Sequence, residues 1–272
     1  MDETTTLSIK EFSEFSGINQ TTLRYYDEIG LLPPASRKKN KYRYYTPFQL
    51  IKLNYIRVLE NLGVKLSAIK DMDSNRTPEK VIELLSQQET KLHKQVYELT
   101  MAASILHTYR KNISRGLTAE GGTIRLEEHD DANYVLGDPN DFKNYITFYE
   151  EFIRFCRSAR KNRINLDFPI GGFHKDMNAF LNAPGWPEHF FSQDPLGNCL
   201  CPGGTFLVGY IRGYYGNFGD LPQKMAIYAK DHHLVFNGPV YSLYLLDEIS
   251  VIKPDQYLSS VSVRVKTDAS QA

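Results

Sequence analysis

Arg24, Tyr25, Tyr42 and Arg43 stand within twenty residues of one another, in the runs Thr22-Leu-Arg-Tyr-Tyr-Asp27 and Lys41-Tyr-Arg-Tyr-Tyr-Thr46. Guanidinium, ammonium and phenol groups at this density donate hydrogen bonds to anionic oxygens and to the edges of heterocycles. Residues 37–70 hold nine basic side chains (Arg37, Lys38, Lys39, Lys41, Arg43, Lys52, Arg57, Lys65, Lys70) and one acid, Glu60. The whole chain has a formal net charge of zero. A basic cluster on a neutral chain points to a polyanion met at one end only. A solvated basic loop is the plainer alternative, and the elements that carry the cluster decide between them.

Those elements read as two short helices and a hairpin. Leu7 to Phe15 is amphipathic and Gly17 breaks it; a second helical segment runs from about Asn19 to Glu28. Two short helices across a glycine turn form a helix-turn-helix, whose second helix presents Thr21, Arg24 and Tyr25 to base edges and phosphates. Pro33-Pro34 stops that helix. Arg37 to Tyr45 reads as a basic, tyrosine-rich wing, with Lys39, Lys41 and, farther on, Lys65 as phosphate anchors. The partner expected is double-stranded DNA.

A further helix begins at Pro47, with Leu50, Leu53, Ile56 and Leu59 or Leu62 at helical spacing, and Gly63 ends it. Leu66 to Met72 is a shorter helical piece. From about Glu79 to Asn112, Leu85, Leu92, Leu99, Leu106 and Ile113 recur every seven residues. Such a row reads as a coiled coil joining two copies, the alternative being a long core helix within one chain. Arg115-Gly116 and Gly121-Gly122 make a linker.

Beyond Thr123 the pattern changes to strands alternating with helices. Strands are expected at Ile124–His129, Asn133–Gly137, Pro169–Phe173, Thr205–Tyr214, Val240–Leu246 and Tyr257–Lys266, and helices at Phe142–Arg160 and Leu221–His232. A faint duplication of strand, helix and strand pair runs through them. This half is rich in rings, and several rings with one carboxylate suit a flat or cationic lipophilic ligand. The expected lining is Tyr145, Tyr149, Phe173, Trp186, Ser242, Tyr244, Glu248 and Tyr257. Taken singly, each tyrosine reads better as core. Glu248 reads equally well as a solvated strand-end acid.

Other signals are weaker. Cys199-Leu-Cys201 is one pair where a closed metal site needs about four ligands, so packing or exposed loop thiols are the reading. His232-His233 reads as a helix end. Neither a nucleophile elbow nor a phosphate loop is present. Catalytic residues, metal ligands and cofactors are all expected to be none. Three cysteines fit a reducing compartment. The start Met-Asp-Glu lacks a signal-peptide core, and no run approaches the ~18 apolar residues of a membrane span. A cytoplasmic protein without membrane contact is expected.

The chain resembles the MerR family of transcription regulators. The resemblance rests on Leu23-Arg-Tyr-Tyr26, Gly30-Leu-Leu-Pro33 and Tyr42-Arg-Tyr-Tyr-Thr46. It is specific over roughly the first quarter and looser through the long helix. The order of parts is most similar to the multidrug-sensing branch, with a gyrase-inhibitor-like effector domain. In that branch a glutamate follows Val-Tyr near the C-terminus; here Val240-Tyr241 is followed by Ser242, which leaves Glu248 to supply charge. The resemblance implies an antiparallel homodimer helix. It also implies an activator that remodels an overlong promoter spacer for RNA polymerase in response to a small aromatic or lipophilic ligand.

The reading is an α+β chain in four parts: a winged helix-turn-helix (1–76), a coiled-coil dimerisation helix (77–115), a linker (116–122) and an α+β effector domain with an antiparallel sheet (123–272). A metal- or thiol-sensing regulator, and a small-molecule hydrolase fused to a DNA-binding domain, are the alternative functions.

Overall fold

The computed structural model describes residues 6–38, 42–73, 75–142, 145–161 and 165–267, and the side chains of 145–149 lie outside that description. The chain forms two compact units, Met1–Leu99 and Thr100–Ala272.

In the first unit a short strand β1 (Leu7–Ser8) leads into α1 (Ile9–Ser16). Ser8 and Glu11 make a capping box: the Glu11 carboxylate accepts from the Ser8 N–H at 2.7 Å, and the Ser8 hydroxyl accepts from the Glu11 N–H at 3.3 Å. Gly17 closes α1 at φ 70°, a left-handed conformation that other residues enter at a cost. Asn19 then caps α2 (Gln20–Glu28) through the Thr22 N–H at 2.7 Å. Strands β2 (Ser36–Arg37) and β3 (Arg43–Tyr45) form the wing, and β3 pairs antiparallel with both β1 and β2. Helices α3 (Gln49–Asn61) and α4 (Leu66–Asp73) complete the unit. Phe12, Leu23, Tyr26, Tyr45, Leu53, Ile56 and Ile69 fill its core, with Phe12 stacked on Tyr45 at 4.6 Å. The expected winged helix-turn-helix is present.

Helix α5 runs Pro78–Thr118 and carries residues of both units. Its heptad residues Leu85, Leu92, Leu99 and Leu106 are exposed. Ile113, the last of the row, instead packs against a core cluster of the second unit.

The second unit is built on one eight-stranded sheet: β4 (Ile124–His129), β5 (Ala132–Leu136), β6 (Ile170–His174), β7 (His189–Ser192), β8 (Cys199–Cys201), β9 (Gly204–Arg212), β10 (Leu234–Leu246) and β11 (Leu258–Thr267). The order is β4-β9-β11-β10-β6-β7-β5-β8, and every neighbouring pair is antiparallel. Helices α6 (Tyr145–Lys161), α7 (Met177–Asn182) and α8 (Leu221–Asp231) join the strands. The duplication read from the sequence is visible in that order. The run β5-α6-β6-β7 is followed by β9-α8-β10-β11, and the two sets of strands lie as mirror-ordered halves meeting at β10 and β6.

Side chains alternate across each strand, so the sheet has two apolar faces. Leu207, Val240, Val261 and Val263 pack with Met177, Phe180, Leu221 and Met225 on the helix-covered face. Phe206, Val208, Tyr210, Tyr241, Leu243 and Leu245 make the other face, with Ile113 from the end of α5 and Ala119 just beyond it. Each fully buried Leu, Val or Phe contributes ~1.5–3 kcal/mol by leaving water, which pins the register that sets the site residues.

The sequence reading passed over α7, β7, β8 and the first half of β10. It also ended the Asn133 strand one residue late, and began the following helix at Phe142, which is not helical; residues 143 and 144 lie outside the described residues.

Candidate functional site

In α2, Leu23 and Tyr26 face the core, and the Tyr26 hydroxyl donates to Glu60 on α3 at 2.7 Å. Burial, followed by the hydrogen bond to Glu60, pushes the Tyr26 phenol well above its ordinary range, so it stays a donor. Fixing that face turns Thr21, Arg24 and Tyr25 outward, all exposed. Arg24 has no partner among the described residues.

The wing is held by a carboxylate. Asp27, on the buried side of α2, accepts from Arg37 Nη2 at 2.7 Å on both oxygens and from Arg43 Nε at 2.6 Å. Its side chain is 3% exposed. One guanidinium comes from each wing strand, so both strands are clamped to α2. Arg43 therefore commits its Nε to the fold, and what it offers a partner is the rest of its guanidinium. Tyr42 is exposed beside Tyr44, ring centroids 6.4 Å apart, and Lys38 Nζ lies 4.3 Å over the Tyr44 ring. Lys65 is exposed just ahead of α4. Lys39 and Lys41 lie outside the described residues.

In the second unit the structure brings three of the eight expected ligand residues together. The ring of Tyr244 lies 4.4 Å from Tyr215, and that of Tyr257 lies 5.7 Å from Tyr215 and 6.3 Å from Tyr214. The Tyr215 hydroxyl donates to the Glu248 carboxylate. Burial first, and then Glu248, push the Tyr215 phenol far above its usual value. The Tyr244 hydroxyl accepts from the Gly216 N–H at 2.9 Å. Burial raises the Asp247 carboxyl, and its neighbour Glu248 raises it further. Tyr109 of α5 is raised by burial and then by Asp247 and Glu248, which places it near both acids. The result is four tyrosines around an acidic strand end, with a fifth from α5 nearby.

Of the other five, three fall elsewhere. Trp186 packs edge-on against Phe142 at 5.1 Å. Its loop meets the tyrosine loop: a Cβ at Gly185 would stand 2.7 Å from the Gly216 carbonyl oxygen, so only glycine allows that approach. Ser242 is buried in the sheet, its hydroxyl donating to the Gly172 carbonyl at 3.3 Å. Phe173 is opposite Tyr241 in register and packs on it at 5.5 Å, which puts it on the face away from Ser242 and Tyr244. Tyr145 and Tyr149 lie in α6, with side chains outside the described residues. Sequence reasoning left Tyr214, Tyr215 and Tyr109 out of the site. The turn Gly213-Tyr-Tyr-Gly216 directly after a strong strand was the available signal for the first two.

Cys201 is buried, and that burial pushes its thiol up. Among the described residues no three His, Cys, Asp or Glu side chains are grouped to hold a metal ion. No described helix is long and apolar enough to cross a membrane.

The chain is similar to known proteins. The crystal structure of the N-terminus of MtaN, the Bacillus subtilis multidrug transporter activator, is 30% identical, with 38% of this chain and 96% of that chain covered and a TM-score of 0.34. The multidrug-efflux transporter 2 regulator of Bacillus subtilis is 24% identical over 265 residues, 94% of this chain and 95% of the relative. The multidrug-efflux transporter 1 regulator of the same organism is 29% identical over 278 residues, 95% of this chain and 97% of the relative. Residues 8–45 match the model described as MerR family regulatory protein. The chain belongs to the MerR family. The MerR match spans α1, α2 and the wing, including Asp27 and both of its arginines. The two multidrug-efflux regulators align across nearly their whole lengths as well, so the similarity extends over both units of this MerR protein.

Proposed function

We propose that this MerR-family protein is a ligand-responsive transcription activator that binds promoter DNA as a homodimer. The observation that carries the reading is the outward face of α2. Thr21, Arg24 and Tyr25 stand free of the core on a helix whose opposite face is fully fixed, beside a wing with Tyr42 and Lys38 exposed. A helix so placed enters a major groove while a wing and its lysines hold phosphates. Thr21, Arg24, Tyr25, Tyr42 and Arg43 contact the duplex, and Lys39, Lys41 and Lys65 anchor its backbone.

The parts divide as a DNA-binding domain over 1–76, a dimer helix over 77–115, a linker over 116–122 whose first three residues continue α5, and an effector domain over 123–272. The exposed leucine row of α5 supports pairing with a second copy. The tyrosines around Glu248 support an effector that is aromatic, lipophilic and cationic, since rings and one carboxylate attract delocalised positive charge. Two near-full-length relatives named as multidrug-efflux regulators favour this over metal or thiol sensing and over a fused hydrolase. The protein acts in the cytoplasm by binding, not by turnover. On an overlong promoter spacer it bends and untwists the DNA for RNA polymerase, a deformation of several kcal/mol toward which the effector shifts the balance.

The test is fluorescence anisotropy on an operator duplex across a salt series. Each phosphate neutralised adds about 0.9 to the slope of log affinity against log salt. Arg24→Ala should weaken operator binding by ~1–3 kcal/mol. Affinity indifferent to salt, or an unweakened Arg24→Ala complex, removes the reading.

A further inference from the structure

A cavity of about 200 Å³ opens on the sheet face opposite Ser242 and Tyr244, lined by Cys201, Phe206, Asn237, Tyr241 and Arg264 among others. Register places it there. Tyr241 pairs with Ser262, Arg264 pairs with Phe206, and Phe206 and Tyr241 both belong to the cluster on that face. The irregularity in β10 between Phe236 and Val240 lifts Asn237 and Gly238 out of ladder pairing and makes the recess.

Its chemistry differs from that of the tyrosine group. Arg264 donates from Nη2 at 2.8 Å and Nε at 3.3 Å to the side-chain oxygen of Asn237, in the amide orientation that satisfies both groups. That partner is neutral, and among the described residues Arg264 has no carboxylate. The acids on this face are already engaged. Glu127 takes Arg115, Arg125 and His129, and the Asp131 carboxylate accepts from the Gly203 N–H at 2.7 Å. Two ring faces, a phenol and a thiol complete the lining, and His129 backs Phe206 in a stack at 4.7 Å. A guanidinium with unspent N–H groups matches a carboxylate in bidentate fashion, and the rings beside it match a flat apolar body. The volume is below the ~300–1,000 Å³ of drug-sized pockets, so one substituted ring is the fit.

We propose that this recess is a second ligand site, selective for small aromatic carboxylates, with the carboxylate on Arg264 and the ring between Phe206 and Tyr241. It is independent of the tyrosine group on the other face and opposite to it in charge preference. The proposal stands or falls whether or not the cation reading above is right.

Benzoate is the probe, with benzamide and benzylamine as neutral and cationic analogues of the same shape. Occupancy is read by calorimetry and by protection of Cys201 from N-ethylmaleimide, followed by peptide mass spectrometry with Cys156 as the internal control. Benzoate should slow Cys201 labelling and leave Cys156 unchanged, with benzamide and benzylamine about tenfold weaker or more. Arg264→Gln should weaken benzoate by a similar factor. Asn237→Asp places a carboxylate on the guanidinium without emptying the wall, so it should abolish benzoate binding in a protein of unchanged circular dichroism. Tyr244→Ala should leave benzoate affinity unchanged. Equal protection by benzamide, no protection by benzoate, wild-type affinity in folded Arg264→Gln and Asn237→Asp, or loss of benzoate binding in Tyr244→Ala would each overturn the proposal.

Discussion

Asp27 shows how one buried carboxylate can decide what its neighbours are free to do. Two guanidiniums meet it, one from each strand of the wing, and the wing owes its position on α2 to them. In Asp27→Asn the amide oxygen can still accept but the amide nitrogen cannot, so part of the three-bond clamp is lost together with the carboxylate charge, and the fold should lose ~1–3 kcal/mol, read as a lower denaturant midpoint. The change also adds a unit of positive charge near the proposed interface. If Arg43 mainly positions the wing, operator affinity falls despite that charge. If affinity rises, Arg37 and Arg43 act as loose phosphate anchors instead. Glu127 makes a comparable hub in the second unit. Burial opposes its ionisation, but hydrogen bonds from His129, Tyr210 and Arg125, and the charge of Arg115, outweigh that and hold its carboxyl well below the ordinary 4.5. A depressed carboxyl contributes stability that is present above its unfolded value and lost as pH falls through its folded one. Melting temperature should therefore drop as pH falls below about 4.5. Glu127→Gln should melt lower than wild type at neutral pH and show a flatter acid limb. An unchanged acid limb would mean that other carboxylates carry the loss.

Elements that carried their own local signal were legible in the sequence, and those defined by their neighbours were not. The capping box at Ser8 and Glu11, Gly17, Asn19 and the proline pair bound α1 and α2 without reference to the rest of the chain. The strand β7 is four residues, His189–Ser192, paired on both sides and buried on both faces, so it shows none of the alternation that marks a half-exposed strand. Strand β8 is three residues. Asn237-Gly-Pro239 has turn chemistry, which hid the first half of β10; the structure absorbs the same residues as a bulge. The site was half legible for the same reason. Tyr244, Glu248 and Tyr257 lie within or directly beside strands that the pattern located. Phe173 was misplaced because pairing register, which sets its face, depends on contacts far away in sequence. In α5 the heptad row was plain, and its last member joined the sheet. The row from Leu85 to Leu106 leaves apolar surface exposed, and its proposed partner is a second copy. Leu92→Glu with Leu99→Glu would bury unpaired charge in that seam at a cost of several kcal/mol. Sedimentation should show a monomer, with operator binding lost and helicity kept. A double variant that stays dimeric would move the interface off this row.

At the scale of the whole molecule the charge vanishes and the chemistry divides: basic groups concentrate in residues 37–70, while the rings and acids of the proposed effector site lie between residues 109 and 257. Neither site can regulate the other unless the two share a coupling free energy, and such coupling is reciprocal. Whatever factor the effector applies to the operator equilibrium, the operator must apply to effector affinity. For typical regulators that factor is ~5–150, or about 1–3 kcal/mol. An aromatic cation titrated against the free dimer, by quenching of Trp186, gives one affinity; titration against the dimer on saturating operator gives the other. The ratio should equal the change in operator affinity measured with and without the cation. Three variants separate the links of the cycle. Arg24→Ala should weaken DNA binding and leave the cation affinity of the free protein intact. Tyr244→Ala should do the reverse, by ~0.5–2 kcal/mol per lost ring contact. Glu248→Gln should weaken cations and spare neutral rings of the same shape, because only the cation loses a charge partner. Equal cation affinity with and without operator, on promoters of every spacer length, would mean that the two units bind independently; a ligand-responsive activator could not work that way.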